Sequence, residues 1–101
     1  MAKLPVPISF NWDQANLEKN WRKHKVHYKE AEEVFLNKPL SIRKDITHSQ
    51  KENRYAALGT TNNSRELYIV FTIRKGNTLR VISARNQSKK ERRLYDKEKA
   101  G

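Results

Sequence analysis

The sequence predicts an α+β domain, with two N-terminal helices packed on a four- to five-stranded, mainly antiparallel sheet and a C-terminal helix. Three observations predict it. Apolar residues recur at helical spacing over residues 13–24 and 28–36. From 40 to 85 the pattern changes to short apolar runs separated by turn residues. Finally, Ser88-Lys89-Lys90-Glu91 has the spacing of a capping box ahead of a last charged segment.

The elements follow in order. Ile8 to Trp12 alternates Ile8, Phe10 and Trp12 against Ser9 and Asn11, the period of a half-buried strand. Asn11 or Asp13 can then cap a helix from about Asp13 to His24. Leu17, Trp21 and His24 fall on one face of it. Lys25 and Val26 break it, and a second helix fits Tyr28 to Leu36, with Tyr28, Ala31, Val34 and Phe35 on one side. Pro39 stops it, because the residue before a proline disfavours helix.

Leu40 to Lys44 reads as a short strand, Asp45 to Lys51 as a polar loop and Arg54 to Thr60 as a strand. Thr61-Asn62-Asn63-Ser64 supplies a turn. Leu67 to Ile73 is nearly continuously apolar, which predicts a strand buried on both faces. Lys75-Gly76-Asn77 is a tight turn. Leu79 to Arg85 is the last strand, and the final helix runs from the capping box to about Lys99. The order is β-α-α-β-β-β-β-α. The 101 residues form one domain, 1–101, with Met1 to Pro7 as a loose lead-in.

Composition narrows the function classes. Lys and Arg number 22 against 11 Asp and Glu, a net charge of +11. The charge is uneven, at +3 over residues 1–50 and +8 over 51–101. Such a bias points to a polyanionic partner, above all nucleic acid; a solubilising surface, acidic proteins and anionic lipid are the alternatives. There is no Cys, so a disulfide, a thiolate nucleophile and a zinc–cysteine site are excluded. No apolar run approaches a membrane span, and Met1 to Pro7 does not resemble a signal peptide. The expectation is a soluble cytoplasmic protein with no membrane partner.

Few groups remain that could do chemistry. The three histidines, His24, His27 and His48, have no carboxylate cluster in the sequence around them, so no metal or other cofactor is expected. With only three glycines there is no phosphate-cradling loop. Arginines are left. Strand alternation places Tyr68, Val70, Thr72 and Arg74 on one face, and in the last strand sets Leu79, Val81, Ser83 and Arg85 against Arg80, Ile82 and Ala84. Arg54 begins its own strand, and Arg92 and Arg93 lie on the last helix. Fixed guanidinium groups on a sheet suit phosphate, because a planar donor fork binds two oxygens at once. Each could equally solvate a surface or pair with an acid.

A metal-free ribonuclease needs a base for the 2′-hydroxyl, donors for the crowded phosphate and an acid for the leaving oxygen. His24, Glu91, Tyr95 or a lysine could move protons. Glu91 also reads as the partner of Ser88 in the capping box, His24 as a core-facing histidine, and Tyr95 as a residue packed on the sheet. Trp12 and Trp21 read as core rather than as base-stacking platforms.

These residues form a recognisable set. Phe10-Asn11-Trp12-Asp13, Asn20, Lys23-His24, Val26, Glu30-Ala31 and Val34-Phe35 resemble the opening of the BrnT family. The second half resembles it too, in Arg54, Ala57-Leu58-Gly59, Phe71-Thr72-Ile73-Arg74, Arg80-Val81-Ile82-Ser83-Ala84-Arg85, Glu91-Arg92 and Tyr95. The resemblance covers about residues 8 to 98. It implies a RelE-like fold and the toxin of a type II toxin–antitoxin system. It also implies RNA cleavage that arrests translation, on free RNA or on the ribosome, and neutralisation by a BrnA-like antitoxin. Operator DNA would be met only through that antitoxin, in a complex that represses its own operon. The site residues carried over are Lys23, His24, Arg54, Arg74, Arg80, Arg85, Glu91, Arg92 and Tyr95. Of these, Arg54, Arg74 and Arg85 rank as phosphate contacts, Glu91 and His24 as proton carriers, and Lys23, Arg80, Arg92 and Tyr95 as RNA-binding. Alternation sets Arg80 and Arg85 on opposite faces, so a bend at Arg85 would be needed for both to reach one phosphate. Asn16 stands where relatives often carry lysine, and Met1 to Pro7 falls outside the pattern. The competing readings are a non-catalytic basic RNA- or DNA-binding module and a pure interaction protein.

Overall fold

The structure is a computed structural model that describes residues 9–44 and 53–100. The lead-in at 1–7, Ile8 and the loop at 45–51 lie outside the described residues. The elements are β1 (Ser9–Asn11), α1 (Gln14–His24), α2 (Tyr28–Leu36), β2 (Ser41–Lys44), β3 (Arg54–Thr60), β4 (Glu66–Arg74), β5 (Thr78–Asn86) and α3 (Lys89–Ala100). The predicted order holds. The strands form one five-stranded sheet in the order β1-β5-β4-β3-β2. β1 runs parallel to β5 and every other pair is antiparallel.

Local chemistry sets the helix ends. Asp13 caps α1, its Oδ1 accepting from the N–H groups of Ala15 and Asn16. Lys25 ends the helix in a left-handed conformation at φ 54°, and its N–H returns to the Trp21 carbonyl. His27 then caps α2, with Nδ1 accepting from the Lys29 N–H while Glu30 accepts from the His27 N–H. The capping box expected at Ser88 and Glu91 is present in both directions. Arg65, in the turn before β4, ties these parts together. Its guanidinium donates to the carbonyls of His24 and Lys25, to Glu30 and to Asn86.

α2 packs on one face of the sheet. There Ala31, Val34 and Phe35 meet Ala57, Leu67, Ile69, Phe71, Leu79, Val81 and Ala84 in one buried cluster. Leu67, Ile69 and Phe71 are each fully buried, and side chains of this kind contribute about 1.5–3 kcal/mol apiece when removed from water. A Cβ on Gly59 would stand 2.5 Å from Val34 Cγ1, so α2 approaches β3 as closely as glycine permits.

α3 lies on the opposite face. Tyr95 is fully buried, and its hydroxyl bonds the Pro39 carbonyl at 2.7 Å and Thr60 Oγ1 at 2.8 Å. Thr60 shares its face of β3 with Leu58 and Arg54. Because α3 covers only part of this face, β4 is not buried on both sides as expected. Tyr68 and Val70 are half-buried, and only Thr72 is fully enclosed on that side.

The two N-terminal helices do not lie side by side on the sheet. β1 spans three residues and covers only the first part of the β5 edge. α1 runs along the remainder. Asn20 Oδ1 accepts from the Ala84 N–H, and Lys19 Nζ donates to the Ile82 carbonyl. Polar side chains therefore satisfy an edge that would otherwise present unpaired backbone groups. The buried residue of α1 is accordingly Asn20, and Trp21, expected in the core, is 53% exposed.

Candidate active site

The half-open face of the sheet collects four arginines. β4 alternates regularly, so Tyr68, Val70, Thr72 and Arg74 project from it together. Cross-strand partners share a face, and Arg54 and Arg80 both pair with Thr72, one on each side. Arg85 pairs with Tyr68 and Ser83 with Val70, but Phe71 pairs with Val81. Ile82 is therefore an extra residue, a β-bulge that reverses the alternation in β5. The expectation that Arg80 and Arg85 face opposite ways is overturned. The bulge turns Arg85 onto the face that already holds Arg54, Arg74 and Arg80.

Arg85 is held firmly in place. Its guanidinium makes two parallel bonds to Glu91, of 2.8 and 2.9 Å, and a third to the Asn86 carbonyl at 3.0 Å. The same group lies 4.2 Å from the centroid of the Tyr68 ring. Of its five N–H groups these hydrogen bonds engage three. The Nε–H and the second Nη2 N–H form the side-on fork suited to a phosphate. The bond to Glu91 is the main cause that raises the Arg85 pKa, so the cation is secure. Burial pushes the Glu91 carboxyl up, but the bonds from Arg85 and from the Ser88 N–H and hydroxyl outweigh it and hold the group below the usual carboxylate range.

His24 ends α1 beside β5. Burial, the Lys23 charge, Arg85 and Lys19 lower its pKa from the ordinary 6.5. At neutral pH the imidazole is thus uncharged and able to accept a proton, within the field of Arg85. Lys23 follows Lys19 by one helical turn, on the same side of α1. Arg80 is tied to Asp13 by a 2.9 Å ion pair, which joins the site to the start of α1. Among the described residues no group of three or more His, Asp or Glu side chains could hold a metal ion. None of the described helices is long and apolar enough to cross a membrane.

A family model described as the ribonuclease toxin BrnT of type II toxin–antitoxin systems matches residues 12–91. The chain belongs to the BrnT family. It is a ribonuclease toxin of a type II toxin–antitoxin system, with an RNA substrate and an antitoxin partner. The Brucella abortus ribonuclease toxin BrnT, known from a crystal structure, has the same fold. The two share 23% identity at a TM-score of 0.59, over 81% of this chain and 99% of that one. No curated protein matches the chain.

The BrnT match spans Lys23, His24, Arg54, Arg74, Arg80, Arg85 and Glu91, and ends before Arg92 and Tyr95. The structure sets the four arginines on one face, with Arg85 and Glu91 at the Tyr68 end of β4, Arg54 and Arg80 about 14 Å along it beside Thr72, and Arg74 about 20 Å along it. Arg92 is exposed on α3, beyond Glu91. Tyr95 departs from the expectation. It is fully buried with its hydroxyl engaged, so it holds α3 to the sheet and has no surface to offer RNA. Sequence reasoning missed Tyr68, which carries the Arg85 guanidinium, and Arg65, which locks the α1–α2 junction. Tyr68 was findable, because it alternates with Thr72 and Arg74. Arg65 bonds partners some 20 to 40 residues away, and no local pattern marks it.

Proposed function

We propose that this BrnT-family toxin is a metal-independent endoribonuclease that uses the substrate's own 2′-hydroxyl as nucleophile. His24 takes the 2′-hydroxyl proton, and the oxygen attacks the adjacent phosphorus. The bond to the 5′-oxygen breaks, and the imidazolium returns its proton to that leaving oxygen. Arg85 stabilises the negative charge that accumulates on that phosphate, and Arg54, Arg74 and Arg80, farther along the same face, bind flanking phosphates of the RNA. Glu91 orients Arg85 and leaves the proton transfer to His24, because a carboxylate held low by a guanidinium is a poor base. The observation that carries this reading is the Arg85 guanidinium, clamped by Glu91 on a half-open face that also holds Arg54, Arg74 and Arg80.

RNA cleavage would arrest translation in the cytoplasm. A BrnA-like antitoxin would neutralise the toxin by covering the basic face with acidic and apolar groups, and their complex would repress the operon through the antitoxin's DNA-binding segment. The net charge of +11 supports such pairing.

The test is antitoxin-free protein incubated with total RNA in EDTA. Cleavage is expected, with a loss of about a hundredfold or more in Arg85→Ala and His24→Ala variants that remain folded. RNA left intact both in buffer and with translating ribosomes, yet bound with a steep salt dependence, would establish the non-catalytic binding module instead.

A further inference from the structure

At the end of the sheet next to Arg85 lies a cleft that the proposed chemistry does not use. Its volume is about 410 Å³, and Ser64, Glu66, Asn86, Gln87 and Arg92 line it. Glu66 sits two residues before Tyr68 on the same face of β4, about 7 Å along the strand. Asn86 and Gln87 directly follow Arg85. The Asn86 side chain alternates to the other face, but its carbonyl accepts from the Arg85 guanidinium at 3.0 Å, which places the cleft next to that group.

Its polar groups are of both kinds. Gln87 is 5% exposed and is held through Nε2, which donates to the Leu67 carbonyl at 3.0 Å. Its Oε1 is buried and accepts no hydrogen bond among the described residues. Asn86 is oriented by the Arg65 Nε–H on its Oδ1, which leaves its amide N–H groups as donors. Glu66 meets Lys99 through Oε2 at 2.9 Å. Arg92 is exposed on the other side of the cleft.

A carboxylate and a buried amide oxygen repel a phosphate, so this is not a second anion site. A flat group that offers adjacent donors beside an acceptor fits better, and that describes a nucleobase. Guanine presents two neighbouring donors, N1–H and N2–H, which a carboxylate accepts together. Its O6 and N7 are acceptors for which arginine is the common partner. Adenine would set its N1 lone pair against Glu66. We propose that this cleft takes a guanine base adjoining the phosphate held by Arg85, with Glu66 accepting from N1–H and N2–H and Arg92 donating to the acceptor edge. The inference rests on the ribonuclease reading for its purpose, but not for its test.

That test is an NMR titration of the full chain with the four ribonucleoside 5′-monophosphates, which share one phosphate and differ in the base. The guanosine nucleotide is expected to bind about tenfold more tightly than the adenosine nucleotide, shifting the side-chain amide signals of Asn86 and Gln87. Glu66→Ala and Arg92→Ala should each bring the guanosine and adenosine affinities together. Lys99→Ala removes the ion pairs to Glu66 and Asp96 and the contact over the Tyr95 ring, leaves the cleft lining itself in place, and should keep the preference. Equal affinities, no binding of any nucleotide, or a preference that survives Glu66→Ala would overturn the proposal. Cleavage of RNA without guanine selectivity would retain the ribonuclease and remove this subsite. Selective binding without cleavage would do the reverse.

Discussion

The guanidinium of Arg85 and the carboxylate of Glu91 meet through two parallel hydrogen bonds across the corner between β5 and α3. Glu91 Oε1 also accepts the Ser88 N–H at 2.8 Å. One carboxylate therefore caps a helix and aims a phosphate-binding arginine. The end of α3 and the orientation of Arg85 are in this way coupled.

That coupling is measurable. A double-mutant cycle of Arg85→Ala and Glu91→Gln should give a stability coupling of about 1 kcal/mol, modest because the pair is partly solvated. The Glu91 carboxyl lies below its unfolded value, so its contribution is present above the unfolded pKa and is lost as pH falls through the folded one. Wild-type protein should therefore lose more stability on acidification than Glu91→Gln. Identical acid profiles in denaturant titrations would refute the pairing.

His24 should titrate below the ordinary histidine value of 6.5 when followed by NMR. Lys23 and Arg85 both contribute to that shift, after burial, so Arg85→Ala and Lys23→Ala should each move the midpoint upward. With the folded pKa depressed, the stabilising contribution exists above the unfolded pKa and is lost as pH falls through the folded value. Cleavage should accordingly weaken on the acid side of that midpoint. A midpoint indifferent to both substitutions would detach His24 from the arginine face.

Tyr95→Phe tests a structural role against an RNA-binding one. Removing the hydroxyl strips the Pro39 carbonyl and Thr60 of a shared partner. Chemical denaturation should show a loss of about 1–3 kcal/mol. RNA affinity of the folded variant should not change. A drop in affinity with unaltered stability would return Tyr95 to the binding surface.

Gly59→Ala probes the contact between α2 and β3. The new methyl would overlap Val34 Cγ1, with the Val34 carbonyl 3.4 Å away. Overpacking of this kind costs about 1–3 kcal/mol. The thermal midpoint should fall by several degrees with the ion pairs of the arginine face intact. An unchanged midpoint would mean that α2 shifts freely on the sheet.

Much of the architecture was legible because it rests on local signals. Helical spacing, the His-Lys-Val break, the capping box at Ser88 and the turns at Asn62 and Gly76 all act within a few residues, so element order and bounds were readable to within about a residue. The apolar stripe of α1 misled, because that helix packs on a strand edge and not on an apolar face. What it had to bury was therefore Asn20, whose amide completes the backbone pairing of Ala84.

The sequence by itself determined the elements, the basic charge and the residue set that carries the family likeness. Each of these depends on composition or on neighbours along the chain. The tertiary structure alone decided which arginines share a face. A single extra residue at Ile82 reverses the alternation of β5, and nothing in the apolar pattern of 79–85 announces it, because a bulge is defined by the partner strand. The same holds for Tyr95, whose burial follows from α3 folding across the sheet. Pairing register and helix docking are contacts between distant segments, and their free energy is not written in any one of them.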